Sequence, residues 1–369
     1  MLNYGFIGCG WMGREHVRNI HALGGAQVTA IYEPDDDMAA AVQTLAPQAQ
    51  RVPSIDSLLA RGDLHALIIT SPNYVHGAQL RMIAGCVALP ILVEKPIVTR
   101  GEDLCLIRQL QATYQAPIWV GMEYRYMPAV DLFLRRADAI TGGITMLTIR
   151  EHRFPFLPKI GNWNRFNTYS GGTFVEKCCH FFDLMRLTLK KEPVRVMASA
   201  AQSHNHKSEV YAQGRADIWD NGFVIVEFQD DTRALLDLSM FAEGSTYQEE
   251  LSAVGPNGKI EAQVPGPHRL WPQSAGPAPT AQVIVSPRHP KGPETIAVPV
   301  DPCLLDIGDH NGATFYQHRK FAQMIRDGST PDVTIEDGWQ AVRLGLAAQE
   351  AASKNTTINL EGPKGFLAG

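Results

Sequence analysis

Residues 8–13 of the chain read Gly8-Cys9-Gly10-Trp11-Met12-Gly13. An apolar run over residues 4–8 precedes this turn, and residues 13–23 have the apolar spacing of a helix. A G-x-G-x-x-G pattern between a strand and a helix is typical of a dinucleotide-binding turn. Its glycines allow a tight turn, close approach of a pyrophosphate and close packing of helix on strand. The pattern therefore predicts a helix N-terminus that binds phosphate groups.

Short apolar strands and helices alternate through the following residues, up to about residue 120. The predicted strands cover residues 28–32, 66–70, 91–93 and 117–120, and the predicted helices cover residues 36–45, 73–88 and 100–114. Such strands, separated by helices, indicate a parallel sheet that is covered on both faces. We therefore predict an α/β, Rossmann dinucleotide-binding domain over residues 1–122.

The pattern changes after Gly121 to one of longer, alternating strands. It predicts a strand at 144–153, a helix at 174–189, further strands at 223–228, 234–240 and 250–254, a proline-rich surface excursion at 263–291, and closing helices at 314–327 and 335–353. Thr334 and Asp337 form a capping box for the last helix. We therefore predict a second, α+β domain over residues 123–369. It has a large, mainly antiparallel sheet for substrate binding and oligomerisation, and its last helices are able to pack back on the first domain.

Composition excludes several classes of protein. The net charge of -5 argues against a nucleic-acid binder, and no apolar run reaches the roughly 18 residues that span a membrane. The six cysteines contain no C-x-x-C pair, which favours reduced thiols in a cytoplasmic protein. The adjacent Cys178, Cys179 and His180 cannot all face one ion from a helix, so we expect no metal site.

Glu33 follows the second predicted strand, twenty residues after Gly13. A carboxylate at this place accepts hydrogen bonds from the adenosine ribose, whereas a 2′-phosphate would meet Glu33 and the acidic residues 35–37. The sequence therefore favours NAD over NADP, although Arg14 could help to bind a phosphate. The alternative is that Glu33 only caps the following helix.

Three further segments carry a family resemblance. They are Ser71-Pro72-Asn73-Tyr74-Val75-His76, Glu94-Lys95-Pro96, and residues 171–183, which read G-G-T-F-V-E-K-C-C-H-F-F-D. Together with the glycine turn and residues 124–129, they resemble the glucose-fructose oxidoreductase, inositol dehydrogenase and rhizopine catabolism (Gfo/Idh/MocA) family along essentially the whole chain. The resemblance implies an NAD-dependent oxidoreductase that acts on a hydroxyl of a sugar, sugar derivative or cyclitol.

The family pattern implies roles for four residues. Lys95 matches the lysine near the nicotinamide and substrate, and His180 matches the general acid/base. Glu176 stands where the family usually has aspartate, and Lys177 follows it, so both are candidates to share the acid/base role. The predicted cofactor contacts are Gly8, Gly10, Trp11, Met12, Gly13, Glu33, Ser71, Asn73, His76, Glu94, Lys95 and Tyr124.

The chemistry is reasonable without the family. Glu176, His180 and Asp183 are spaced i, i+4 and i+7, which puts them on one face of a helix. Removing hydride from a carbinol needs a base for the hydroxyl proton, which histidine suits, and a cation such as Lys95 or Lys177 stabilises the developing alkoxide. The alternatives are that His180 is a hydrogen-bonding residue and that Lys95 is solvated.

Residues 150–165 are basic and aromatic, which suits the apolar faces of a polyhydroxylated ring that carries an anionic group. The predicted substrate contacts are Arg125, Arg153, Trp163, Arg165, Lys177, His180 and Asp183. The alternative is that Trp163 packs the domain interface and the arginines are solvated.

Two other functions remain open. One is an NAD-dependent glycosidase, in which oxidation, elimination and reduction cleave an anionic sugar glycoside such as a sulfoquinovoside without net redox change. The other, which the pair Lys95 and His180 disfavours, is a non-catalytic NAD-binding sensor. The resemblance also implies a homodimer or homotetramer built on the open face of the second sheet.

Overall fold

Alternating strands and helices build the first unit around a parallel sheet. The computed structural model describes residues 1–361 and 366–367. The elements of this unit are, in chain order, β1 (Leu2–Ile7), α1 (Trp11–Leu23), β2 (Ala26–Tyr32), α2 (Asp36–Leu45), β3 (Gln50–Arg51), α3 (Ile55–Leu59), β4 (Ala66–Ile69), α4 (His76–Ala84), β5 (Ile91–Val93), α5 (Leu104–Thr113) and β6 (Ile118–Val120). β1, β4, β5 and β6 are almost entirely buried, as expected of strands covered on both faces.

The strand order β3-β2-β1-β4-β5-β6 confirms the predicted Rossmann fold. All neighbouring strands are parallel. The order reverses between β1 and β4, whose last residues Ile7 and Ile69 are paired. Ligands of such sheets bind outside the carboxyl ends of the strands at this reversal.

A segment near the C-terminal end of the chain, residues 313–342, also belongs to the first unit. Its helix α11 (Ala313–Asp327) packs on α1. Phe321 of α11 contacts the rings of Tyr4 and Trp119 at centroid distances of 6.0 Å. α12 (Ile335–Lys354) begins with the predicted capping box, in which Asp337 N–H donates to Thr334 Oγ1 and Thr334 N–H donates to Asp337 Oδ2. The first unit comprises residues 1–123 and 313–342.

The second unit is α+β, as predicted. Its elements are α6 (Pro128–Thr141), β7 (Met146–His152), α7 (Asn167–Ser170), α8 (Thr173–Glu176), α9 (Cys179–Leu189), β8 (Pro193–Ala201), β9 (Val210–Tyr211), β10 (Gly214–Arg215), β11 (Asn221–Phe228), β12 (Arg233–Ser239), β13 (Glu249–Gly255), β14 (Gly258–Val264), β15 (Gln282–Pro287), β16 (Glu294–Ala297), α10 (Pro302–Ile307) and β17 (Ile358–Asn359). The nine-stranded sheet has the order β16-β15-β14-β13-β7-β12-β11-β8-β17, and only β7 and β12 pair in parallel among these described strands. None of the helices within the described ranges is both long and apolar enough to cross a membrane.

Three local predictions are wrong. The single helix predicted over 174–189 is two helices, α8 and α9, because the Cys178 N–H bonds to the Thr173 carbonyl five residues back and interrupts the helical ladder. The predicted proline-rich excursion contains β15, whose Val283 and Val285 are buried on the sheet. The helix predicted over 73–88 with Asn73 as its cap is shorter: Asn73 lies in a short 3₁₀ turn, and α4 begins at His76 and ends at Ala84.

Candidate active site

The three glycines of the N-terminal turn differ in their surroundings. Gly8 has φ of +92°, and a Cβ there would lie 2.5 Å from the Ser71 nitrogen. A Cβ on Gly13 would lie 2.9 Å from the Gly8 oxygen. At Gly10, by contrast, no described atom lies within 4 Å of the Cβ position. The turn is therefore tightly packed at its first and third glycines and open at the second, as the approach of a pyrophosphate requires.

Glu33 lies at the end of β2 and connects it to this turn. One carboxylate oxygen accepts the Cys9 N–H at 2.6 Å, and the other accepts the Asp35 N–H at 3.0 Å. A cavity of about 390 Å³ opens beside it, lined by Tyr32, Glu33, Pro34, Arg51, Val52 and Pro53. Carboxylate oxygens have further lone pairs, so Glu33 fits the hydroxyls of an adenosine ribose.

Arg51 also lines this cavity, although no motif in the sequence predicted it. Its guanidinium donates to the carbonyl oxygens of Glu33 and Pro34, each at 3.0 Å, and to the Asp36 carboxylate at 2.6 Å. A lone arginine in a two-residue edge strand matches no motif, which explains why it was missed.

The loop after β4 holds Ser71, Asn73 and His76. His76 is fully buried, and its two ring nitrogens lie 2.9 Å from the Pro96 oxygen and 3.0 Å from the Ser71 oxygen. It therefore ties this loop to the Glu94-Lys95-Pro96 segment. Asn73 is also buried, and its side-chain nitrogen has no hydrogen-bond partner among the described residues, so this amide fits a polar group of a bound cofactor.

Glu94 and Lys95 follow β5 directly. Glu94 is buried, and its Oε2 accepts the Lys95 N–H at 3.3 Å, while its Oε1 lies 2.9 Å from His16 Nε2. Lys95 is half-buried. The sequence did not single out His16, which lies on α1, 78 residues from Glu94.

In the second unit, Lys177 is the centre of a buried group. Its Nζ donates to the Tyr124 hydroxyl at 2.5 Å and lies 2.8 Å from Glu151 Oε1. The Tyr124 ring lies parallel to the His180 ring, with centroids 4.0 Å apart. All four side chains are buried, so this cation, carboxylate, phenol and imidazole interact away from bulk water.

Three other predicted site residues, all buried themselves, are held in ion pairs. Glu176 Oε1 lies 3.0 Å from Lys159 Nζ. Asp183 accepts two hydrogen bonds from Arg125, one of them from Nε at 2.6 Å. Glu176 and Asp183 therefore each have a cation of their own.

The basic and aromatic segment is held mainly by contacts within the second unit. Arg165 is buried with its Nε 3.0 Å from Glu209 Oε2. Trp163 is buried under Lys159 Nζ, which lies 4.6 Å from its ring centroid. Arg153 lies over the Phe154 ring at 4.3 Å.

Glu151 and Glu249 are opposite each other on the paired strands β7 and β13, and both are buried. Burial, and then the charge of Glu151, raises the pKa of Glu249 to about 7. Burial also raises the pKa of Cys178 well above its ordinary value, which keeps this cysteine a thiol. Sequence reasoning missed both glutamates because their pairing is set by strand register.

Two family profiles match the chain. The one described as "Oxidoreductase family, NAD-binding Rossmann fold" matches residues 2–122, and the one described as "Oxidoreductase family, C-terminal alpha/beta domain" matches residues 138–360. The chain belongs to the Gfo/Idh/MocA oxidoreductase family. The resemblance read from the motifs is thereby confirmed, as is NAD as the cofactor. The roles of individual site residues stay predictions.

Several Gfo/Idh/MocA proteins are similar over most of their length. An inositol 2-dehydrogenase of Rhizobium meliloti (strain 1021) is 27% identical over 264 residues, which are 71% of this chain and 76% of that protein. Two solved structures share the fold. A myo-inositol dehydrogenase from Corynebacterium glutamicum ATCC 13032 has a TM-score of 0.74 and 24% identity, covering 98% of this chain and 99% of that one. A levoglucosan dehydrogenase in complex with NADH and levoglucosan has a TM-score of 0.79 and 19% identity, covering 98% and 100%. The chain described here is, like these relatives, an NAD-dependent dehydrogenase.

Proposed function

We propose that this protein oxidises a secondary hydroxyl of a sugar or cyclitol, with His180 as general base and Lys95 as the cation that stabilises the alkoxide. The names of its relatives, which act on inositol and levoglucosan, support this class of substrate. The observation that carries the assignment of His180 is the pairing of its charged neighbours. Lys177 pairs with Glu151, Glu176 with Lys159, and Asp183 with Arg125.

These pairings indicate which side chains of the second unit keep their charge and which one transfers the proton. A carboxylate or ammonium held by a counter-ion transfers a proton less readily, because the ion pair stabilises its charged form. Glu176 and Lys177 therefore act as fixed charges near the imidazole. His180 takes the hydroxyl proton, and NAD, when bound, would supply the acceptor for the hydride of the carbinol carbon.

The proposed substrate is a neutral polyhydroxylated ring. Arg165 is buried against Glu209, so its charge is already balanced, and Arg153 lies over Phe154 with Glu151 at 3.9 Å. Neither arrangement favours an anionic substituent. Trp163 remains the proposed aromatic contact for the C–H face of the ring.

The test is NADH absorbance over time with purified protein, excess NAD and a panel of cyclitols, free sugars and glycosides, including a sulfoquinovoside. We expect NADH to accumulate with a neutral cyclitol or sugar, and Lys95→Met and His180→Asn each to abolish it while NAD still binds. Exposed Lys354 provides the control, since Lys354→Met should leave the rate unchanged. Glycoside cleavage that depends on NAD without net NADH would overturn the proposal in favour of the redox-neutral glycosidase.

We also propose that a second copy of the chain covers the outer face of the nine-stranded sheet. Phe223, Ile225 and Met146 are 57%, 41% and 53% exposed, and the register of β11, β12 and β7 places them on one face of the sheet. Exposed apolar patches mark interaction surfaces. Sedimentation equilibrium should give a dimer or tetramer, and Phe223→Lys with Ile225→Lys should shift it toward monomer. A monomeric wild-type protein would contradict this assembly.

A further inference from the structure

Three buried side chains form a hydrogen-bonded series within the first unit. His318 Nε2 lies 2.7 Å from His16 Nδ1, and His16 Nε2 lies 2.9 Å from Glu94 Oε1. Both histidines are fully buried and Glu94 is nearly so. Burying polar rings is costly unless they are hydrogen-bonded, so the two histidines and the glutamate depend on one another as partners.

The series joins three separate elements at the cofactor side of the sheet. His16 lies on α1, in the turn after the glycine fingerprint, His318 lies on α11, and Glu94 follows β5. Gly121 makes room for the Glu94 carboxylate, since a Cβ there would lie 2.7 Å from Oε1. The Glu94 carboxylate therefore lies between His16 of α1 and Gly121, which follows β6.

The direction of the hydrogen bonds follows from the charges around His16. Burial by itself lowers the pKa of His16, but the hydrogen bond and charge of Glu94, with the charges of Glu123 and Glu15, raise it above its ordinary value. Burial and the charge of His16 hold the pKa of His318 well below its ordinary value. Since a carboxylate accepts, His16 Nε2 donates to Glu94 Oε1, and the opposite directions of the two pKa shifts favour the proton shared by the two rings lying on His16, which then donates to His318 Nε2.

We propose that His16 and His318 are positioning residues that hold the Glu94 carboxylate in one orientation and thereby fix the backbone from which Lys95 extends. Glu94 accepts from His16 on Oε1 and from the Lys95 N–H on Oε2, so both oxygens oppose its rotation. Rotation of Glu94 would release the Lys95 N–H and let the lysine side chain start from a different direction. The expected effect of this positioning on kcat rests on the role of Lys95 proposed above, whereas the positioning of Lys95 itself does not.

The first test observes Lys95 without any substrate. Reductive methylation with ¹³C-formaldehyde labels lysines while keeping their charge, and the Lys95 NMR signal is identified by its loss in Lys95→Arg. We expect one narrow signal in the wild type and in His318→Gln, whose amide can replace Nε2. His318→Phe should split or broaden it, and His318→Leu is a second apolar replacement should the phenylalanine variant not fold.

Phe321→Leu is the matched control, because it removes packing from the same face of α11 without touching the series. It should lower the melting temperature and leave the Lys95 signal narrow. An unchanged Lys95 signal in a folded apolar variant of His318 would overturn the proposal.

The second test is kinetic. With the substrate found above, His318→Phe should lower kcat on the order of 10- to 100-fold with KM for NAD unchanged, since small misplacements of a catalytic group cost that much, and His318→Gln should restore most of it. An equal loss in both variants would overturn positioning through Nε2. If the wild type made no NADH with any substrate, the proposed function would fail while the NMR comparison would still decide the positioning.

Discussion

Tyr124 lies flat on His180, with ring planes 7° apart and centroids 4.0 Å apart. The same tyrosine accepts a hydrogen bond from the buried ammonium of Lys177. Stacked aromatic pairs contribute about 0.5–1.5 kcal/mol beyond their buried area, which is enough to select one orientation of the imidazole. The tyrosine therefore links His180, the proposed base, to the ion pair of Lys177 and Glu151.

Replacing Tyr124 should separate the effect of the ring from that of the hydroxyl. We expect Tyr124→Leu to lower kcat on the order of 10- to 100-fold, because His180 loses its stacking surface. Tyr124→Phe keeps the ring and leaves Lys177 paired with Glu151, so its loss should be smaller than tenfold. Single-turnover NADH formation measures both. Equal losses in the two variants would mean that the hydroxyl, not the stack, is important.

Glu249 should make folding stability depend on pH. Its folded pKa of about 7 lies above the ordinary 4.5, so between these values the folded protein binds a proton that the unfolded chain has released. Stability therefore falls as the pH rises from about 4.5 to 7, by on the order of 3 kcal/mol. Urea unfolding across this range should show the decrease in the wild type and not in Glu249→Gln.

A carboxyl elsewhere on the sheet provides the control for this pH dependence. Glu261, on β14, is partly exposed and pairs with Lys259 at 2.7 Å. Glu261→Gln should keep the wild-type decrease. A Glu249→Gln variant that also kept it would show that another group titrates.

The glycine turn allows folding to be separated from cofactor binding. Gly10→Ala meets no described atom within 4 Å, so the melting temperature should stay within about 1 °C of the wild type. Its Cβ would enter the space that the pyrophosphate needs, and NAD affinity should fall at least about tenfold by isothermal titration calorimetry. Wild-type affinity in this variant would contradict the predicted phosphate position.

Gly8→Ala should behave in the opposite way. Its φ of +92° and the Ser71 backbone 2.5 Å from the new Cβ require the turn to move. We expect a loss of at least about 1–2 kcal/mol in the free energy of unfolding, measured before any cofactor is added.

Breaking the buried ion pair of Arg125 and Asp183 should lower the free energy of unfolding strongly, whereas replacing both residues together should lower it much less. Arg125→Met or Asp183→Leu leaves one buried charge without its partner, which costs about 3–5 kcal/mol. The double variant removes both charges and should recover most of that loss in urea unfolding. The exposed pair Arg135 and Asp131 is the control, and Arg135→Ala should change stability by no more than about 0.5 kcal/mol. A double variant as unstable as the summed single variants would contradict the expected coupling.

Sequence reasoning succeeded where the signal was local. The glycine turn, the short apolar strands and the capping box at Thr334 each depend on residues within a few positions, and each was found as predicted. It failed where tertiary contacts overrode a local pattern. The spacing of residues 174–189 is helical, yet the chain breaks at Lys177 and Cys178, where Lys177 meets Glu151 and Tyr124.

By itself the sequence determined the Rossmann fold, which follows from glycine spacing and apolar periodicity along the chain. The family came from the resemblance carried by residues 71–76, 94–96 and 171–183, and the preference for NAD came from Glu33 and that resemblance. Only the tertiary structure decided how the charged residues are paired. His16 meets His318 across 302 positions, and Glu151 meets Glu249 through the register of β7 with β13. Such partners are chosen by burial, since a buried charge or polar ring must find a hydrogen-bond partner wherever the fold brings one, and no spacing in the sequence encodes that choice.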